Sequence, residues 1–94
     1  MDRNILLTLL KEENYPAHML DKTIEKLEKL QPEILSAFTQ WLSDGKTPSI
    51  SIENFSFQDL TMKFGMTPVG AFITLDWLVR EPEKAKRSLG RGIR

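Results

Sequence analysis

The sequence predicts an all-α fold, a compact orthogonal bundle of five to six short helices with one short extended segment near residues 49–53. Three observations lead to this class. Apolar residues recur at helical spacing along most of the chain, and four prolines stand where these patterns begin. Proline suits the first helical position because its missing N–H would have no partner there in any case. Ile50-Ser51-Ile52, by contrast, alternates with the two-residue period of a strand.

The first three predicted helices carry apolar residues three and four positions apart, which places these residues on one face. Asp44-Gly45 ends the third helix, because glycine readily adopts the left-handed conformation that closes many helices. The predicted bounds are Asp2 to about Glu13, Pro16 to Lys29 and Pro32 to Ser43.

The second half of the chain begins with the extended segment, which either lies against the helices as coil or pairs with the same segment of another copy. Ser56 and Asp59 then resemble a capping box at the start of a short helix. Thr67 is the expected cap of the next helix, after a stop at Gly65. The predicted helices run from Phe57 to Phe64, from Thr67-Pro68 to about Arg80, and from Pro82 to Leu89.

Length and composition limit the number of domains and the cellular locations that the chain can have. Ninety-four residues predict one helical domain, residues 1–90, followed by a frayed basic tail, residues 91–94. The chain contains no cysteine, which excludes disulfides and thiol nucleophiles and permits a reducing cytoplasm. The apolar stretch Ile5 to Leu10 is too short and too closely followed by charge for a signal peptide or a membrane span. We therefore expect a cytoplasmic protein with no membrane partner.

The region Ser56 to Leu78 resembles the helix-turn-helix pattern: a short helix, a glycine, an apolar residue, a capping residue and a second helix. In a DNA reader, the exposed start of the second helix carries polar or cationic groups toward base edges. Here those positions hold Pro68, Val69, Gly70, Phe72 and Ile73, none of which has a hydrogen-bonding side chain. The helix is apolar on most sides, so we expect it to be the central helix of the bundle rather than a reading helix.

The segments PEILSAFTQWL and FGMTPVGAFITLDWL also give the chain a resemblance to short uncharacterised helical bacterial proteins. That resemblance implies a helical fold and no particular activity or functional residue.

No catalytic, cofactor or metal site is predicted. His18 is the only histidine, so a histidine metal site and a Ser-His-Asp relay both lack parts. There is no phosphate-binding glycine motif. We therefore expect no enzyme, but a protein-interaction or regulatory module, with a protein or a second copy of the chain as partner. The candidate partner contacts are Ile50, Ile52, Phe55 and Phe57, where surplus apolar surface flanks the extended segment.

The alternative is a helix-turn-helix-like nucleic-acid binder that uses a basic C-terminal helix for phosphate contacts. Residues 80–94 hold six basic and two acidic side chains, a net +4, whereas residues 1–79 hold seven and eleven, a net −4. Such a basic end contacts phosphates or neutralises its own domain. The candidate phosphate contacts are Lys84, Lys86, Arg87 and Arg91.

Overall fold

A computed structural model of the protein describes residues 3–12 and 14–92, with only the backbone of residues 91 and 92. It confirms the all-α class with one short extended segment. A short 3-10 helix, Ala17–Met19, precedes the second α-helix. The helices are α1 Arg3–Glu12, α2 Leu20–Glu28, α3 Pro32–Asp44, α4 Phe57–Met62, α5 Pro68–Arg80 and α6 Pro82–Gly92, and the strands are β1 Ser51–Ile52 and β2 Phe55–Ser56.

The helix starts agree closely with the proline positions, since α3, α5 and α6 begin at Pro32, Pro68 and Pro82. Pro16 instead precedes the 3-10 helix. At the other end of the chain, the backbone of α6 extends to Gly92, so the predicted tail from residue 91 begins inside this helix. The last two residues of that tail lie outside the described residues.

The chain folds as two compact units, Met1–Leu30 and Gln31–Arg94. In the first unit, α1 and α2 contact each other. Arg3 pairs with Asp21 and with Glu28, each at 3.3 Å. Among the residues of this unit that the structure describes, the buried ones are Leu6, Leu10, Thr23, Ile24, Leu27 and Leu30.

Helix α5 is the centre of the second unit, because α3, α4, α6 and β1 all contact it. Phe72 is fully buried, and its ring centroid lies 5.2 Å from that of Phe38, 5.7 Å from that of Trp41 and 4.8 Å from that of Phe57. The predicted packing role of α5 is therefore confirmed. Val69, near the start of the helix, is also fully buried and is not presented to solvent.

Asp76 is the one charged side chain among the buried residues that the structure describes. One carboxylate oxygen pairs with Arg80, four residues later, a spacing that places two side chains next to each other on a helix. The other accepts the backbone N–H of Gln31, the residue before α3, at 2.8 Å. The carboxylate therefore joins the middle of α5 to the start of α3, a contact across 45 residues that helical spacing does not reveal.

The turn between α4 and α5 has the predicted construction. Gly65 has a φ of +67°, the left-handed conformation that glycine adopts without a steric penalty. Two residues later, the Thr67 hydroxyl accepts the N–H of Gly70 at 3.1 Å and caps α5.

At the start of α4, the Ser56 hydroxyl accepts the N–H of Asp59 at 2.9 Å.

Replacing Ser56 with alanine is expected to lower the free energy of unfolding by about 1 kcal/mol, because the N–H of Asp59 loses its partner. Ser56→Thr keeps a hydroxyl at the same position and should preserve most of the stability. Urea denaturation followed by circular dichroism measures both. Equal losses in the two variants would contradict the capping role.

Candidate functional site

The extended segment forms a hairpin within the chain. Ile52 is paired with Phe55, and Ser51 with Ser56, in antiparallel register. Between the strands, Glu53 and Asn54 have φ values of 52° and 69°, the positive values of a type I′ turn. The extended segment thus pairs with β2 of the same chain, an arrangement that differs from the two that the sequence suggests.

The four predicted partner contacts lie on one face of this hairpin. Ile52 and Phe55 are directly opposite, and Ile50 lies opposite Phe57, whose N–H it accepts at 3.0 Å. Opposite residues of a strand pair share a face. Phe57 is only 4% exposed and packs on Phe72, whereas the other three are half-buried. Phe57 is therefore part of the core, and this face is directed largely inward.

The outer edge of β1 has unpaired backbone groups. In an antiparallel ladder, residues that exchange hydrogen bonds alternate with residues whose N–H and C=O point away. Ile52 exchanges bonds with Phe55, and Ile50 bonds to Phe57, so the backbone groups of Ser51 point to the outer edge. Ser51 is exposed, and no residue in the described ranges hydrogen-bonds to it.

A groove adjoins the chain leading into this edge. It has a volume of about 370 Å³ and is named here the α3 groove. Trp41 is half-buried and lines it, and Asp44 and Lys46 add one charge of each sign. An Asp44 carboxylate oxygen accepts the N–H of Lys46 at 2.9 Å, which fixes the turn after α3. The lining residues are Ala37, Gln40, Trp41, Asp44, Lys46, Thr47, Pro48 and Ser49.

Two of the four predicted phosphate contacts pair with carboxylates of the chain itself. Lys84 lies 3.2 Å from Glu81. Lys86 lies 3.2 Å from Glu53 in the hairpin turn and 3.2 Å from Glu83. Hydrogen bonds to Glu53 and then to Glu83 raise the pKa of Lys86. Ion pairs of this lysine therefore connect the hairpin turn to α6 at the surface.

Arg87 differs from these lysines. It is exposed, and its guanidinium has no ion pair or hydrogen bond with the part of the chain that the structure describes. The side chain of Arg91, the fourth predicted phosphate contact, lies outside the described residues. Among the three predicted phosphate contacts whose side chains the structure describes, Arg87 is thus the one whose charge is most available to a ligand.

Arg87 also lines a second groove, of about 200 Å³, named here the α5–α6 groove. The other lining residues are Trp77 from α5 and Lys84 and Ser88 from α6. Trp77 is half-buried, so part of its indole remains accessible. An aromatic surface, two cations and a hydroxyl consequently meet at one place.

The sequence pattern predicts both tryptophans to be core residues and misses their place in these grooves. Trp41 and Trp77 fall on helices beside leucine and isoleucine, which is the pattern of core residues. Residues 46–49, which follow α3, complete the groove beside Trp41. Lys84, Arg87 and Ser88 of α6 complete the groove beside Trp77. The spacing of apolar residues within α3 or α5 does not predict that these residues from outside the helix lie beside the tryptophans.

Within the described residues, no three acidic or histidine side chains are grouped as a metal site would require. None of the helices described is both long enough and apolar enough to cross a membrane. Comparison with protein-family models, curated proteins and solved structures finds no match to the chain.

Proposed function

We propose that the chain is a non-enzymatic protein-interaction or regulatory module whose β1 edge pairs with an extended segment of a protein partner. The observation that carries the proposal is the backbone of the exposed residue Ser51, whose N–H and C=O point away from β2 by the alternation of the ladder and have no partner in the described residues. An open strand edge is a template for another extended chain. Main-chain hydrogen bonds supply affinity in this mode of recognition.

The α3 groove supports the same proposal by offering space for side chains. It reaches Ser49, two residues before Ser51, and Trp41 provides apolar surface there. In an added strand, alternate side chains point to the same face. One or two of them would enter the groove and select the partner sequence, while the backbone pairs at the edge.

The predicted contacts Ile50, Ile52 and Phe55 take a supporting role in this proposal. Their face of the hairpin is directed inward, and β1 contacts α5. The ring centroid of Phe55 also lies 6.0 Å from that of Phe64. These contacts hold the edge in an extended conformation before a partner binds. Preorganisation lowers the entropic cost of binding.

A second copy of the chain can also supply the pairing strand, since its own β1 edge at Ser51 is extended and unpaired within the described residues. The extended segment that pairs with the β1 edge can therefore come from a second copy of the chain or from another protein. We propose a cytoplasmic location for either, which the absence of cysteine permits.

The test compares Ser51→Pro with Ser51→Ala. Peptides selected against the wild-type protein from a random display library, and the protein itself in sedimentation velocity experiments, are the two probes. Proline removes the outward N–H and should weaken binding by about tenfold or more, whereas alanine keeps the N–H and should leave binding nearly unchanged. Circular dichroism verifies that both variants fold.

A second pair of variants tests the groove. Ala37→Phe places a ring in the α3 groove and should reduce peptide binding, whereas Ser36→Phe adds the same ring at an exposed neighbouring position outside it. Binding retained by folded Ser51→Pro would remove the strand-edge proposal. So would the absence of both peptide binding and self-association.

A further inference from the structure

We infer that the α5–α6 groove binds one nucleotide unit, with its base against Trp77 and its phosphate at Arg87. This site is separate from the β1 edge and does not depend on the function proposed for that edge. Its lining combines a half-buried indole with Lys84, Arg87 and Ser88. Proteins that bind single-stranded nucleic acid combine aromatic side chains, on which bases stack, with positive charges that contact the phosphates.

The charges around the groove favour a single anion. Arg87 has no carboxylate partner in the described ranges, and its planar guanidinium can donate two parallel hydrogen bonds to a phosphate. Lys84 shares its charge with Glu81 at 3.2 Å, on a side chain that is 71% exposed. It can therefore turn from Glu81 toward a bound phosphate at little cost.

The size and composition of the groove define the rest of the ligand. A volume of about 200 Å³ suits one planar ring system rather than a longer segment. Inorganic phosphate would leave Trp77 uncovered. A base in an intact duplex has both faces stacked and cannot lie on the indole. The fitting chemistry is a base with a phosphate, either as a free nucleotide or within a single strand.

Tryptophan fluorescence provides the measurement. In a Trp41→Phe background, Trp77 is the remaining tryptophan and reports directly on the groove. Adenosine monophosphate and a six-residue oligoadenylate are expected to quench it saturably, whereas inorganic phosphate should not. Similar affinities for the two adenylates would indicate a free nucleotide as the ligand. Much tighter binding of the oligonucleotide would indicate a single strand.

Arg87→Gln and Lys86→Gln are the matched variants, since each removes one positive charge from α6. Arg87→Gln should weaken binding by about tenfold, because a charged hydrogen bond to phosphate is lost. Lys86 pairs with Glu53 and Glu83, so Lys86→Gln should change the affinity less than about twofold at 0.15 M salt. Equal losses in the two variants, or no quenching by either adenylate, would overturn the inference.

Discussion

Replacing Phe72 with alanine is expected to lower the free energy of unfolding by about 3–5 kcal/mol. Phe72 is fully buried, and its ring contacts the rings of Phe38, Trp41 and Phe57. Alanine removes the buried apolar surface and leaves a cavity where α3, α5 and the start of α4 meet. Chemical denaturation, followed by far-ultraviolet circular dichroism, measures the change.

Two further variants make this result interpretable. Phe72→Leu retains much of the side-chain volume and should cost less, which keeps the experiment informative if the alanine variant fails to fold. Met62 is 75% exposed, so Met62→Ala should change the stability by less than about 0.5 kcal/mol. A loss at Phe72 no larger than the loss at Met62 would contradict the central position assigned to α5.

Asp76→Ala is expected to destabilise the protein by about 2–3 kcal/mol, the second-largest effect. The carboxylate is buried, pairs with Arg80 and accepts the N–H of Gln31 at 2.8 Å. Alanine leaves that N–H without an acceptor and Arg80 without its ion pair. Because the Arg80 side chain is 46% exposed, solvent screens the ion pair, and most of the loss should come from the bond to Gln31.

Asp76→Asn separates the two contributions. Its side-chain oxygen can still accept the N–H of Gln31, while the charge that pairs with Arg80 is lost. We expect a loss of about 1 kcal/mol, clearly smaller than for alanine. Denaturation at neutral pH compares the variants. If asparagine costs as much as alanine, the charge rather than the bond to Gln31 carries the stability.

The experiments on binding and those on stability are independent of each other. Phe72 and Asp76 are buried, so their variants test how α3 and α5 are held together. Ser51 and Arg87 are exposed, and each belongs to a different candidate site. A loss of binding at either exposed residue, with unchanged unfolding, would therefore be assigned to that site alone.

Local chemistry made much of the fold predictable. Pro32, Pro68 and Pro82 begin helices because the fixed φ and missing N–H of proline act within a single turn. Gly65 and Thr67 act over the same short range, and the apolar surface of α5 predicted its central place. These effects depend on neighbouring residues, so the sequence by itself determined the helical class, the starts of α3, α5 and α6, and which helix is surrounded.

Only the tertiary structure decided what those elements contact. Glu53-Asn54 lacks the glycine typical of a type I′ turn, so the pairing of Ile52 with Phe55 was not apparent. The bond from Gln31 to Asp76 and the pairing of Lys86 with Glu53 join residues 45 and 33 positions apart. Whether such groups meet depends on the directions in which whole helices pack. That packing left Arg87 unpaired among the described residues and placed it in one groove with Trp77.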